Sequence, residues 1–171
     1  MTLEKLSELS QIIGSASVVA SLIFVGLQIR QNTRSQRVVA VNSLTAAAVA
    51  INVPGMESPL FGEALSRAMT DWKSATREQR IVAHYFLFSF FKLAESAWYQ
   101  HRVHVLDATQ WAGWERLLLA FYHCDGVQAG WWCHRGDVYS PEFQRYLSGT
   151  SSETAKSAVL ELIFSGELPN S

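Results

Sequence analysis

The chain has 171 residues, with 14 Lys and Arg against 15 Asp and Glu, for a net charge of −1. Apolar residues make up 49% and charged residues 17%, a balance that excludes a disordered charged chain and a basic nucleic-acid-binding footprint. Two cysteines exclude a disulfide-dense scaffold and a four-cysteine zinc site.

Between Glu8 and Arg30 no side chain is ionisable, so residues 9–29 form an uncharged stretch. At about 1.5 Å per residue a helix of this length crosses a ~30 Å hydrocarbon core. Gly14, Ser15, Ser17 and Ser21 dilute its first half, but a serine hydroxyl that bonds back to its own helix is tolerated in lipid. A signal peptide fits less well, because MTLEKLSE lacks a basic lead and residues 30–37 lack a small-x-small cleavage site. Buried core helices seldom run this far without charge, and an interfacial helix needs a charged face that is missing here. The stretch therefore predicts a transmembrane helix. Arg30, Arg34 and Arg37 follow it closely, so the positive-inside rule places the rest of the chain in the cytoplasm; in a bacterial cell the anchor is then in the inner membrane.

Gly14, Ser17 and Ser21 recur at spacings of three and four, on one helix face, with Ala16 and Ala20 beside them. Small faces let membrane helices approach closely, so this face is a candidate oligomerisation seam. A pore lined by Ser17 and Ser21 is a weaker alternative.

The run SLIFVGLQIRQNTRSQR (residues 21–37) resembles the opening of an uncharacterised family of bacterial single-span membrane proteins. In that family the span ends in a similar L-Q-[IV]-R-Q-N-T-R run and a helical soluble part follows. The Trp-rich middle and the S-P-E-F run at Ser140 to Phe143 are also similar. The resemblance implies topology and no catalytic residues.

After the span, VVAVNSLTAAAVAI (38–51) continues the helix and predicts an end near Asn52, before Val53-Pro54-Gly55. Ser58-Pro59 opens a helix to about Asp71. Thr76 with Gln79 forms a capping-box signal for a helix over 75–102, and Asp107 with Gln110 opens another to about Cys124. The segment DGVQAGWW (125–132) reads as a loop. Ser140-Pro141 starts a short helix to Leu147, and a last amphipathic helix is expected over 152–164. The expected organisation is an anchor at 1–37, a helical bundle at 38–148 and a linker with a terminal helix at 149–171. The fold class is all-α.

The segment IVAHYFLFSFFKL (81–93) is apolar on nearly every face. It predicts either the central helix of the bundle or a helix that meets another subunit or the bilayer.

Several constellations bear on chemistry. His84 and Glu95 stand 11 residues apart, about three turns, on a stripe with Trp98 and Arg102. A carboxylate among aromatic rings has its pKa raised and can work as an acid or base; paired with Lys92 or Arg102 it ties the bundle together instead. Trp111, Trp114, Trp131 and Trp132, with Tyr139, gather around the 125–132 segment, and Arg135 is placed to stack on a ring. They line a small-ligand pocket, form an interfacial belt, or supply core. His101, His104 and Asp107, and the pairs His123-Cys124 and Cys133-His134, have ligand chemistry but no recognised metal-site spacing. We expect no metal and no cofactor. The expected function is a membrane-anchored interaction or scaffold protein, self-associating or an accessory subunit. Its partners are the lipid bilayer and membrane proteins, with no nucleic acid. The alternative is a tethered small-ligand sensor or enzyme using His84, Glu95 and the Trp-lined pocket.

Overall fold

The computed structural model describes residues 3–152, so the expected helix over 152–164 lies outside the described residues. Every regular element among them is helical. Helix α1 runs Leu3–Glu57 without interruption. The chain divides into two compact units, Met1–Ala40 and Val41–Ser171, and the two parts of α1 belong to different units.

In the first unit the helix satisfies its own polar side chains. The hydroxyls of Ser15, Ser17 and Ser21 donate to the carbonyls of Gln11, Ile13 and Ser17 at 2.9, 2.8 and 2.8 Å. Thr33 donates to the Ile29 carbonyl at 2.9 Å. The apolar side chains have no such cover. Leu22 is 67% exposed and Phe24 61%, and the apolar window within Ile13–Gly55 is 0% buried. By length and composition this helix is long and apolar enough to cross a membrane.

The second unit starts with the end of α1, where Leu44 is buried and Val41 and Ile51 pack beside it. The helix ends at Glu57 rather than near Asn52, with Pro54 inside its last turn. Proline has no N–H to give the Ala50 carbonyl, so the helix loses that bond. The proline's own carbonyl stays engaged, since Ser58 N donates to it at 3.1 Å.

Helix α2 (Pro59–Thr70) begins at the expected Ser-Pro signal, although the Ser58 side chain makes no capping bond. It buries Ala64, Leu65, Ala68 and Met69. Helix α3 (Arg77–Arg102) starts with the expected capping box: Thr76 Oγ1 accepts from Gln79 N, and Gln79 Oε1 accepts from Thr76 N. It ends in a Schellman turn, with Val105 N donating to Gln100 O and His104 N to His101 O. His104 occupies the left-handed position of that turn at φ 60°. Helix α4 (Ala108–Tyr122) repeats the capping box with Asp107 and Gln110.

Both α2 and α4 pack on α3. The buried face of α3 carries Phe86, Leu87, Phe90, Phe91, Ala94, Ala97 and Trp98. The helix is not sealed all round, because Ile81, Val82, Tyr85 and Tyr99 remain exposed.

Residues 125–132 are not a loop. Gly126–Trp132 forms a π-helical turn packed against α2 and α4. Its two glycines explain how it fits. A Cβ at Gly126 would strike the Ala68 backbone carbonyl and lie 2.7 Å from the Met69 carbonyl, and one at Gly130 would strike the side chain of Trp72. Short helix α5 (Cys133–Arg135) and a 3₁₀ turn (Gly136–Val138) lead to α6 (Pro141–Ser148). Ser140 caps α6 by accepting from Phe143 N, and α6 inserts Phe143 and Leu147, both fully buried. Burial of two such side chains stabilises by about 1.5–3 kcal/mol each.

Candidate functional site

The side chains singled out on α3 separate. His84 and Glu95 stand 11 residues apart, which puts them about 16 Å apart along the axis. Each has its own partners.

His84 accepts a hydrogen bond at Nδ1 from Trp131 Nε1, at 3.0 Å. Indole nitrogen only donates, so Nδ1 is unprotonated and the neutral ring carries its proton on Nε2. Burial, and next the Arg135 guanidinium, hold the His84 pKa below its ordinary value.

Glu95 is saturated. Its Oε1 accepts from the Ser140 backbone N–H at 2.6 Å and its Oε2 from Lys92 Nζ at 3.0 Å. Burial pushes the carboxyl up, but the Ser140 N–H and the Lys92 ammonium outweigh it and hold Glu95 below the usual carboxylate range. Lys92 also donates to the Val138 carbonyl at 2.8 Å and sits over the Tyr139 ring at 4.5 Å. The arrangement ties α3 to the start of α6.

The aromatic residues form two ring groups joined through Phe143. In the first, Trp131 stacks on Phe91 at 5.5 Å and Trp132 on Tyr139 at 4.9 Å. In the second, Trp98 packs on Phe143 and Tyr146, and Trp111 stacks on His101 at 5.5 Å. Trp114 is half-buried against the core. Trp131 is 1% exposed and Phe91 fully buried, so the first group fills its own space. Among the described residues, the cations over rings are Lys92 on Tyr139 and Arg102 on Trp98. Arg135, expected to stack on a ring, is exposed and lines a cleft elsewhere.

That cleft is open, about 430 Å³ in volume, and lies where the start of α3 meets Trp72 and α5. Arg77, Arg80 and His84 line it from α3, together with Trp72, Tyr85 and Arg135. Sequence reading missed Trp72, Arg77, Arg80 and Tyr85. The helical signal was present, because 77, 80 and 84 recur at spacings of three and four on one face, with Tyr85 beside them.

The remaining ligand-type residues have local partners. Cys124 and Cys133 are free thiols and donate to the Ala120 and Ala129 carbonyls. His123 Nε2 lies 2.9 Å from Thr150 Oγ1, and His101 Nδ1 lies 3.3 Å from the Leu106 carbonyl. Among the described residues no group of three His, Cys, Asp or Glu is arranged to hold a metal.

In the first unit, Ser17 and Ser21 line a shallow groove with Val18, Leu22 and Val25. A Cβ at Gly14 would meet open space.

Compared with known proteins, the chain matches no family profile, no curated protein and no solved structure.

Proposed function

We propose that the chain is a single-span membrane protein that works by association, as a homo-oligomer or an accessory subunit presenting a cytoplasmic helical domain. One observation carries this reading: the apolar window of α1 is entirely uncovered, with nine large apolar side chains from Ile13 to Ile29 between 47% and 67% exposed. Exposing so much contiguous apolar surface to water is costly, and lipid or another protein covers it. A core helix would be mostly buried, which this one is not. The serine hydroxyls are satisfied within the helix, so the Gly14–Ser17–Ser21 face can meet a second helix at no hydrogen-bonding cost. The arginines at 30, 34 and 37 support a cytoplasmic C-terminal side, and the resemblance of residues 21–37 supports a bacterial inner membrane.

The test has two parts. Alkaline carbonate washing of membranes should leave the protein in the pellet; release to the supernatant overturns the anchor. Native mass spectrometry of gently extracted protein should give a defined oligomer, or a stoichiometric membrane-protein complex, that Ser17→Ile with Ser21→Ile dissociates. A strict monomer with no bound subunit overturns the association.

A further inference from the structure

The cleft at the start of α3 has a chemistry that the association reading does not use. Three guanidiniums, Arg77, Arg80 and Arg135, line it, and no Asp or Glu does. The ion pairs among the described residues, Lys92–Glu95 and Arg145–Glu142, involve none of the three. Composition does not force this gathering, because the chain carries one more acid than base.

The placement suits a bound anion. Arg77 and Arg80 occupy the first turn and a half of α3, at the positive end of its dipole, where the one acid, Glu78, does not line the cleft. Arg135 approaches from the other wall and opposes charge on His84. A bound anion relieves both effects. Guanidiniums are also the side chains suited to forked recognition of phosphate oxygens.

The fourth donor is fixed by the fold. Trp131 occupies His84 Nδ1, which leaves Nε2–H as the donor the ring still has to offer. The remaining walls are flat and apolar: Trp72 is half-buried, and Tyr85 is 68% exposed. A tyrosine ring so open to solvent beside a second aromatic ring offers stacking surface.

We propose that this cleft binds a small phosphorylated molecule with an aromatic ring, of the nucleoside-phosphate class. Arg77, Arg80 and Arg135 hold the phosphate oxygens, His84 donates from Nε2, and the ring stacks on Tyr85 or Trp72. The cleft volume of 430 Å³ falls in the range of small-ligand sites.

The test is titration of the full-length protein in a non-ionic detergent with ADP, pyrophosphate and adenosine, read by tryptophan fluorescence and thermal shift. ADP should bind saturably and raise the melting temperature, and adenosine should bind at least about tenfold more weakly. Arg80→Gln and Arg135→Gln should each weaken ADP by about tenfold or more, while Arg145→Gln on α6 leaves it unchanged. Trp72 packs against the π turn and its replacement can unfold the unit, so the ring contact is tested at exposed Tyr85. Tyr85→Leu should weaken ADP and spare pyrophosphate. The proposal is overturned if ADP fails to bind at millimolar concentration, or if the arginine variants bind it as the parent does. Equal ADP and pyrophosphate affinity with an inert Tyr85→Leu also overturns it. So does arginine-dependent binding to phosphatidate vesicles without ADP binding, which would make the phosphate source a lipid headgroup.

Discussion

Trp131 donates its indole N–H to Nδ1 of His84, joining the π turn to α3 across 47 residues. The bond exists only while His84 is neutral, since protonation puts a second N–H against the indole. The His84 pKa is lowered in the folded chain, by burial first and Arg135 second. A depressed folded pKa contributes stability that is present above the unfolded value, near 6.5, and is lost as pH falls through the folded one. Burial lowers His123 in the same direction. The melting temperature should therefore fall between pH 7.5 and pH 5, and His84→Gln should reduce that fall. An equal fall in parent and variant would assign the acid sensitivity elsewhere.

Glu95 should behave as a structural carboxylate. Glu95→Ala leaves the Ser140 N–H and Lys92 without their acceptor and should cost about 1–3 kcal/mol. Glu95→Gln keeps an acceptor for Ser140 and should cost less, about 1 kcal/mol. The carboxyl is held low, so its stabilisation is present above about pH 4.5 and is lost on further acidification. Denaturant titration orders the variants, and amide exchange at Ser140 should speed up most in Glu95→Ala.

Gly126→Ala should be among the most damaging single-methyl changes in the second unit. The added carbon meets two backbone carbonyls at the end of α2, which cannot swing aside as a side chain would. The expected cost is about 1–3 kcal/mol or more. Gly113→Ala on α4, where a Cβ meets nothing within 4 Å, is the matched control and should not destabilise. Melting curves of the two variants give the comparison directly.

The two thiols should differ sharply. Cys133 is exposed, whereas burial, and then the Asp125 carboxylate, push the Cys124 thiol up to about 11. Maleimide at neutral pH should modify Cys133 promptly and Cys124 only after denaturation. In intact cells a membrane-impermeant reagent should reach Cys133 only after permeabilisation, if the second unit is cytoplasmic. Peptide mapping reads both results.

The features legible in the sequence were local. Thr76 with Gln79 and Asp107 with Gln110 announced two helix starts because a capping box is written within four residues. The uncharged stretch announced the apolar helix for the same reason. What stayed hidden depended on partners distant in the chain. The 125–132 segment looks like a loop until the end of α2 lies against Gly126. Glu95 looks like a candidate acid until Ser140 arrives 45 residues later. The cleft was half visible, since Arg77, Arg80 and His84 share a helical face, but Arg135 reaches it only by way of the π turn.

The Glu95–Ser140 bond also bears on biosynthesis. At ~5–20 residues per second, the ribosome needs about 2–9 s to add the 45 residues between the two partners. For that interval α3 exists without α6, and the position that Phe143 will fill stands open beside Trp98. The nascent chain thus exposes an aromatic surface until its last described helix is made. Chaperones and proteases have that window in which to sort completed molecules from stalled ones, and a chain truncated before Ser140 never leaves it.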